Sequence, residues 1–102
     1  MNLLEDDPAI ASARVEVLSW LLGQQFGFYD SNTELVEGFT RFVAQETDLE
    51  LRAQRNPSAC VWEARWYDAG RELDEFRKPF CAEEKIDAQL LACAAMINLD
   101  TE

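Results

Sequence analysis

The chain has 102 residues, 48 % of them hydrophobic, with 20 acidic residues against 9 basic ones and no histidine. The length suits a single domain over residues 1–102, and the apolar content supports a real core, which excludes a disordered acidic tail. A net charge of −11 at pH 7 disfavours nucleic acid and anionic membranes as direct partners, and the lack of histidine removes Ser-His-Asp and Cys-His catalysis.

The opening stretch MNLLEDDPAIASA has early negative charges and no apolar run of secretory length, so no leader is expected. No apolar run approaches the ~20 residues of a membrane span. Cys60, Cys81 and Cys93 are odd in number and lack CxxC spacing. They read as reduced thiols of a cytoplasmic protein, with no metal and no cofactor expected.

The first helix starts at Asp7, which caps it, with Pro8 as first helical residue. Ile10, Ala13, Val17 and Leu21, with Trp20 beside them, form one stripe. Gly23 or Gly27 is the expected stop, with Gly27 preferred because Phe26 and Phe28 then anchor the connector. SNTE at Ser31–Glu34 is a capping box in which Glu34 reaches back to the cap. A second helix follows with Leu35, Phe39, Phe42 and Val43 on its apolar face, ending between Gln45 and Thr47.

The period then changes. Leu49, Leu51 and Ala53 alternate with Glu50, Arg52 and Gln54, which predicts a half-buried strand broken at Asn56–Ser58. In the next strand Cys60, Trp62, Ala64 and Trp66 share the inner face, and Val61, Glu63, Arg65 and Tyr67 the outer one. Asp68–Arg71 forms a tight turn with Gly70 left-handed, and ELDEF returns as a short acidic third strand. The last helix fills CAEEKIDAQLLACAAMINL, with Glu83 and Glu84 in its first turn. It has no charge from Gln89 to Leu99, so it either crosses the centre of the domain or also packs on a second copy. The expected fold is α+β: two N-terminal helices, a three-stranded antiparallel sheet with a hairpin, and a C-terminal apolar helix packed on the sheet.

Charge is uneven: net −8 over residues 1–50, +1 over 51–78 and −4 over 79–102. The adjacent acidic pairs Asp6/Asp7, Asp74/Glu75 and Glu83/Glu84 point apart in helices and strands, so they do not make an acid–base pair. Cys81, expected near the start of the last helix, is the one thiol with a route to activation. The four glycines are isolated and form no phosphate loop. No enzymatic role is expected.

VWEARWYDAGRELDEFRKPFCAEEKIDAQL resembles in layout the arm-binding domain of phage-type integrases: an aromatic strand, a glycine turn, a strand ending in Phe, then a helix. That family is basic along the returning strand, where this chain has Glu72, Asp74 and Glu75. The departure removes the phosphate-docking charge, so direct DNA binding is not expected.

These features suggest a non-enzymatic acidic protein that binds and inhibits another protein. It would cover a basic, nucleic-acid-binding surface, as anti-CRISPR and other phage counter-defence proteins do. The alternatives are an immunity protein neutralising a cationic toxin, or a chaperone-like adaptor that dimerises through the C-terminal helix. The expected partner-binding residues are Glu34, Glu37, Glu46, Asp48 and Glu50, with Glu72, Asp74 and Glu75 on the hairpin. They would pair with Lys and Arg of the partner.

Overall fold

A computed structural model describes residues 7–24, 29–59, 61–73, 75–76 and 78–100. Helix α1 spans Pro8–Gln24. The Asp7 carboxylate accepts from Ala9 N at 2.8 Å, so the cap sits where the Asp-Pro pair puts it. Ala13, Val17 and Leu21 are its buried stripe. The expected stop at Gly27 and the anchors Phe26 and Phe28 lie outside the described residues.

Helix α2 spans Asn32–Glu46. Ser31 Oγ accepts from Glu34 N at 3.2 Å, and the Glu34 carboxylate accepts in turn from Asp30 N. The box therefore closes one residue earlier than SNTE implies. Thr47 ends the helix by going extended while its N–H and hydroxyl both donate to Val43 O, at 2.9 and 2.8 Å. Leu35, Val36, Phe39 and Val43 are buried. A Cβ on Gly38 would lie 2.8 Å from Tyr29 Cε1, so glycine lets the tyrosine ring pack on the helix backbone.

Strands β1 (Leu49–Asn56) and β2 (Val61–Asp68) pair antiparallel from Leu49 opposite Asp68 to Asn56 opposite Val61. Asn56 Oδ1 shapes the first hairpin loop by accepting from Ser58 N and Ala59 N. The second loop is the dipeptide Ala69–Gly70, with φ of 53° and 90°, between the paired Asp68 and Arg71. Two positive φ values mark a type I′ turn, whose twist matches the strands it joins. Gly70 adopts this freely, whereas Ala69 does so at a cost.

The third strand is not continuous. β3 is only Arg71–Glu72; Leu73, Glu75 and Phe76 lie in no strand, an excursion before the chain pairs again as β4 (Phe80–Ala82) beside the first half of β2. ELDEF thus leaves the sheet after Glu72. Leu73 and Phe76 would point to opposite faces of a strand; the excursion lets both pack on the core, with Phe76 edge-on to Phe80 at 5.3 Å.

Helix α3 runs from Lys85 to Asp100, and Glu84 O accepts from Ala88 N at 3.1 Å. Glu83 and Glu84 precede the first turn, and Cys81 lies in a strand. The expected helix start at Cys81 fails because residues 80–82 pair with β2.

The architecture is α+β, with the helices on one face of an antiparallel sheet ordered β1-β2-β3, β4 joining β2 beyond β3. The buried residues form one cluster from α1, α2, β2 and α3, and among the described residues no polar or charged one is buried. α3 crosses its centre: Ala88, Leu90, Ala92, Cys93, Ala94, Met96 and Ile97 are all buried. Trp66, 2 % exposed, donates from Nε1 to Ala92 O at 2.8 Å and stacks edge-on to Phe39. Ala64 is buried beside it and Trp62 is half-buried, so the inner face of β2 is the expected one; Cys60 lies outside the described residues.

Candidate binding surface

The outer face of the sheet carries an internal charge network. In the register, Glu50 lies opposite Tyr67 and Tyr67 opposite Glu72, while Arg52 lies opposite Arg65 and Gln54 opposite Glu63. Arg52 pairs with Glu50 at 3.0 Å and lies over the Tyr67 ring at 4.3 Å. Arg65 pairs with Glu72 at 2.7 Å and with Glu63 at 3.7 Å. The Glu72 hydrogen bond, then the field of both carboxylates, raises the Arg65 pKa further. Asn56 Nδ2 donates to Glu63 at 2.9 Å.

The end of the sheet where α2 hands over to β1 differs. Glu46, Asp48 and Asp68 are exposed, and their carboxylates make no ion pair among the described residues. Asp48 sits beside the hairpin, its carbonyl accepting from Ala69 N at 3.1 Å, and Asp68 lies across from Leu49. At this end opens a pocket of about 180 Å³ that has Glu46 on its lining, with Asp48 next to its wall residue Leu49 in sequence and Asp68 opposite Leu49 in the register. Trp20, Phe42 and Leu49 form its half-buried walls and Phe39, Val43, Met96 and Ile97 its buried floor, with Glu46 and Thr47 at the rim. Trp20 stands edge-on to Phe39 at 4.9 Å and to Phe42 at 5.0 Å, which holds the walls apart. Among the described residues no Lys or Arg lines it.

The structure brings Glu46, Asp48, Glu50 and Glu72 to this end of the sheet, but Glu50 and Glu72 are spent on Arg52 and Arg65. Glu34 is held in the capping box. At ~1.5 Å per residue it lies about 18 Å from Glu46 along α2. Glu37 is exposed farther up the same helix, beside Lys85 in another groove. Glu75 is exposed on the excursion, and Asp74 lies outside the described residues. Sequence reasoning missed Asp68, read as a turn residue, and the pocket walls Phe42 and Leu49, read only as core; the aromatic spacing of Trp20, Phe39 and Phe42 was the available signal.

The thiols differ as well. Cys93 is fully buried, and burial pushes its pKa far above the usual thiol value, so it stays protonated. Cys81 is exposed on β4 opposite Glu63. It borders a groove of about 450 Å³ lined also by Asp7, Glu83, Glu84, Asp87 and Arg14, where α1 and α3 begin. No group of three or more Cys, Asp or Glu among the described residues is placed to hold a metal ion, and no helix among them is long and apolar enough to cross a membrane.

No protein-family model, curated protein or solved structure matches the chain significantly.

Proposed function

We propose that this is a non-enzymatic cytoplasmic protein that binds a basic segment of another protein and inhibits it by covering that surface, in the manner of phage counter-defence inhibitors. The observation that carries this reading is the aromatic-walled pocket beside the unpaired carboxylates of Glu46, Asp48 and Asp68. At about 180 Å³ it is smaller than the roughly 300–1,000 Å³ of small-molecule and cofactor sites. An apolar cavity of roughly 150 Å³ already takes a benzene ring, so this volume suits one apolar side chain. A partner segment would seat that side chain between Trp20 and Phe42 and set flanking Lys or Arg against the rim acids, on a nucleic-acid-binding surface or a cationic toxin alike. The cytoplasmic assignment is supported by the free thiols of Cys81 and Cys93.

The test is capture of a partner from the native host, followed by titration of the purified pair. Affinity should fall steeply with added salt, fall again in Phe42→Ala, and be competed by nucleic acid if the covered surface is a nucleic-acid groove. Binding indifferent to salt and to Phe42→Ala would sink the proposal.

A further inference from the structure

Among the described residues β1 pairs with β2 alone, so its other side is an edge of the sheet. Asp48 O accepts from Ala69 N across the β1–β2 register, so the ladder uses the even-numbered residues of β1. Leu49, Leu51, Ala53 and Arg55 therefore turn their backbone N–H and C=O groups to the open edge. The Leu49 N–H is met locally by Thr47 Oγ1 at 3.0 Å. Leu51, Ala53 and Arg55 present a hydrogen-bonding row with no proline in it, the kind of edge that recruits another strand.

We propose that this edge pairs with the β1 of a second copy, antiparallel about a two-fold axis at Leu51. Charge selects both the partner and the register. In a protein of net charge −11, β1 holds Glu50, Arg52 and Arg55 and brings no net negative charge to a contact between copies. With Leu51 opposite Leu51 of the second copy, Glu50 faces Arg52 and Arg52 faces Glu50, joining the two intrachain ion pairs into one ring. Centring on Arg52 would set Arg52 against itself, and centring on Ala53 would leave Glu50 opposite an uncharged Asn56. In the chosen register every edge-facing group of Leu49, Leu51 and Ala53 also lies opposite another edge-facing group. Beside the edge, a groove of about 520 Å³ lined by Val36, Leu51 and Ile86, and also by Glu37, Glu84 and Lys85, leaves room on the inner side for the incoming leucines. α3, whose apolar sides are taken up within the chain, offers only Leu99 at its exposed end.

The experiment is sedimentation from micromolar to near-millimolar protein. Wild type should reach twice the 11.7 kDa of one chain. Ala53→Pro should be monomeric with an unchanged circular dichroism spectrum, because the N–H it removes faces away from β2. Arg52→Glu should weaken the dimer at least about tenfold, and Glu50→Arg combined with Arg52→Glu should restore it. A wild type that stays monomeric overturns the proposal. A dimer that survives Ala53→Pro overturns the edge assignment, and one that survives Arg52→Glu, or is not restored by the swap, overturns the register. None of these outcomes depends on the acidic end of the sheet, so they are separable from failure of the partner-binding reading.

Discussion

The outer face of the sheet and the end of the sheet are both rich in carboxylates, yet they are chemically opposite. On the outer face Glu50, Glu63 and Glu72 are matched by Arg52 and Arg65 at ion-pair distance. At the end, Glu46 lines an apolar pocket and Asp48 and Asp68 flank its wall residue Leu49, with no such match among the described residues. A net charge of −11 says how much negative charge the chain carries; the strands say where it is already neutralised, since Glu50 and Arg52 share one face of β1, Glu63 and Arg65 one face of β2, and Glu72 reaches Arg65 across the β2–β3 hairpin. A partner's Lys or Arg must displace an existing cation on the outer face but not at the end, which makes the end the better docking surface.

The sharpest way to break this comparison is charge reversal. Glu46→Lys, Asp48→Lys and Asp68→Lys together should cost about a hundredfold in partner affinity, about 2.7 kcal/mol, at unchanged melting temperature. Glu72→Lys should stay within about threefold. Equal losses in calorimetry would erase the distinction between the two regions.

The next effect separates the carboxylates from the buried thiol in the pH dependence. Burial raises the folded-state pKa of Cys93, so the folded chain keeps a proton that the unfolded chain releases. Stability should be whole below about pH 8.5 and fall as the pH rises beyond it, by up to about 1.4 kcal/mol per unit. Cys93→Ala should flatten that limb in urea midpoints followed from neutral to alkaline pH.

Smaller effects sort the acids of α2 from one another. Ser31→Ala should cost about 1 kcal/mol by opening the capping box that Glu34 completes, whereas Glu37→Ala should cost nearly nothing. Ala69→Asn should stabilise the second hairpin by roughly 0.5–1 kcal/mol, since asparagine accepts a positive φ more readily than alanine. Arg65→Ala should cost roughly 0.5 kcal/mol, and salt should mask it.

Much of this was legible along the chain, because the signals were local. Asp7–Pro8 and Ser31…Glu34 mark helix starts through hydrogen bonds made within one turn, and the alternation through Trp62, Ala64 and Trp66 marks the inner face of β2. The third strand was misread where Leu73 and Phe76 break period two: their burial is a long-range matter, decided by Phe80 and the core. The start of α3 was misread for a related reason, since pairing of residues 80–82 with β2 outcompetes an earlier helical turn. The candidate site was only half legible. Glu46 and Asp48 stand out as acids between a helix and a strand, but Asp68, twenty residues beyond Asp48, reaches them only through the β1–β2 register.

By itself the sequence determined the α+β class, the inner face of β2, the caps of α1 and α2 and the absence of histidine chemistry, all set by spacing and composition. Only the tertiary structure decided which carboxylates are neutralised, where an apolar pocket stays open, and which strand is left as an edge. The pocket and the edge depend on packing and backbone pairing between residues far apart in sequence, and the ion pairs depend on side chains that strand formation brings to one face.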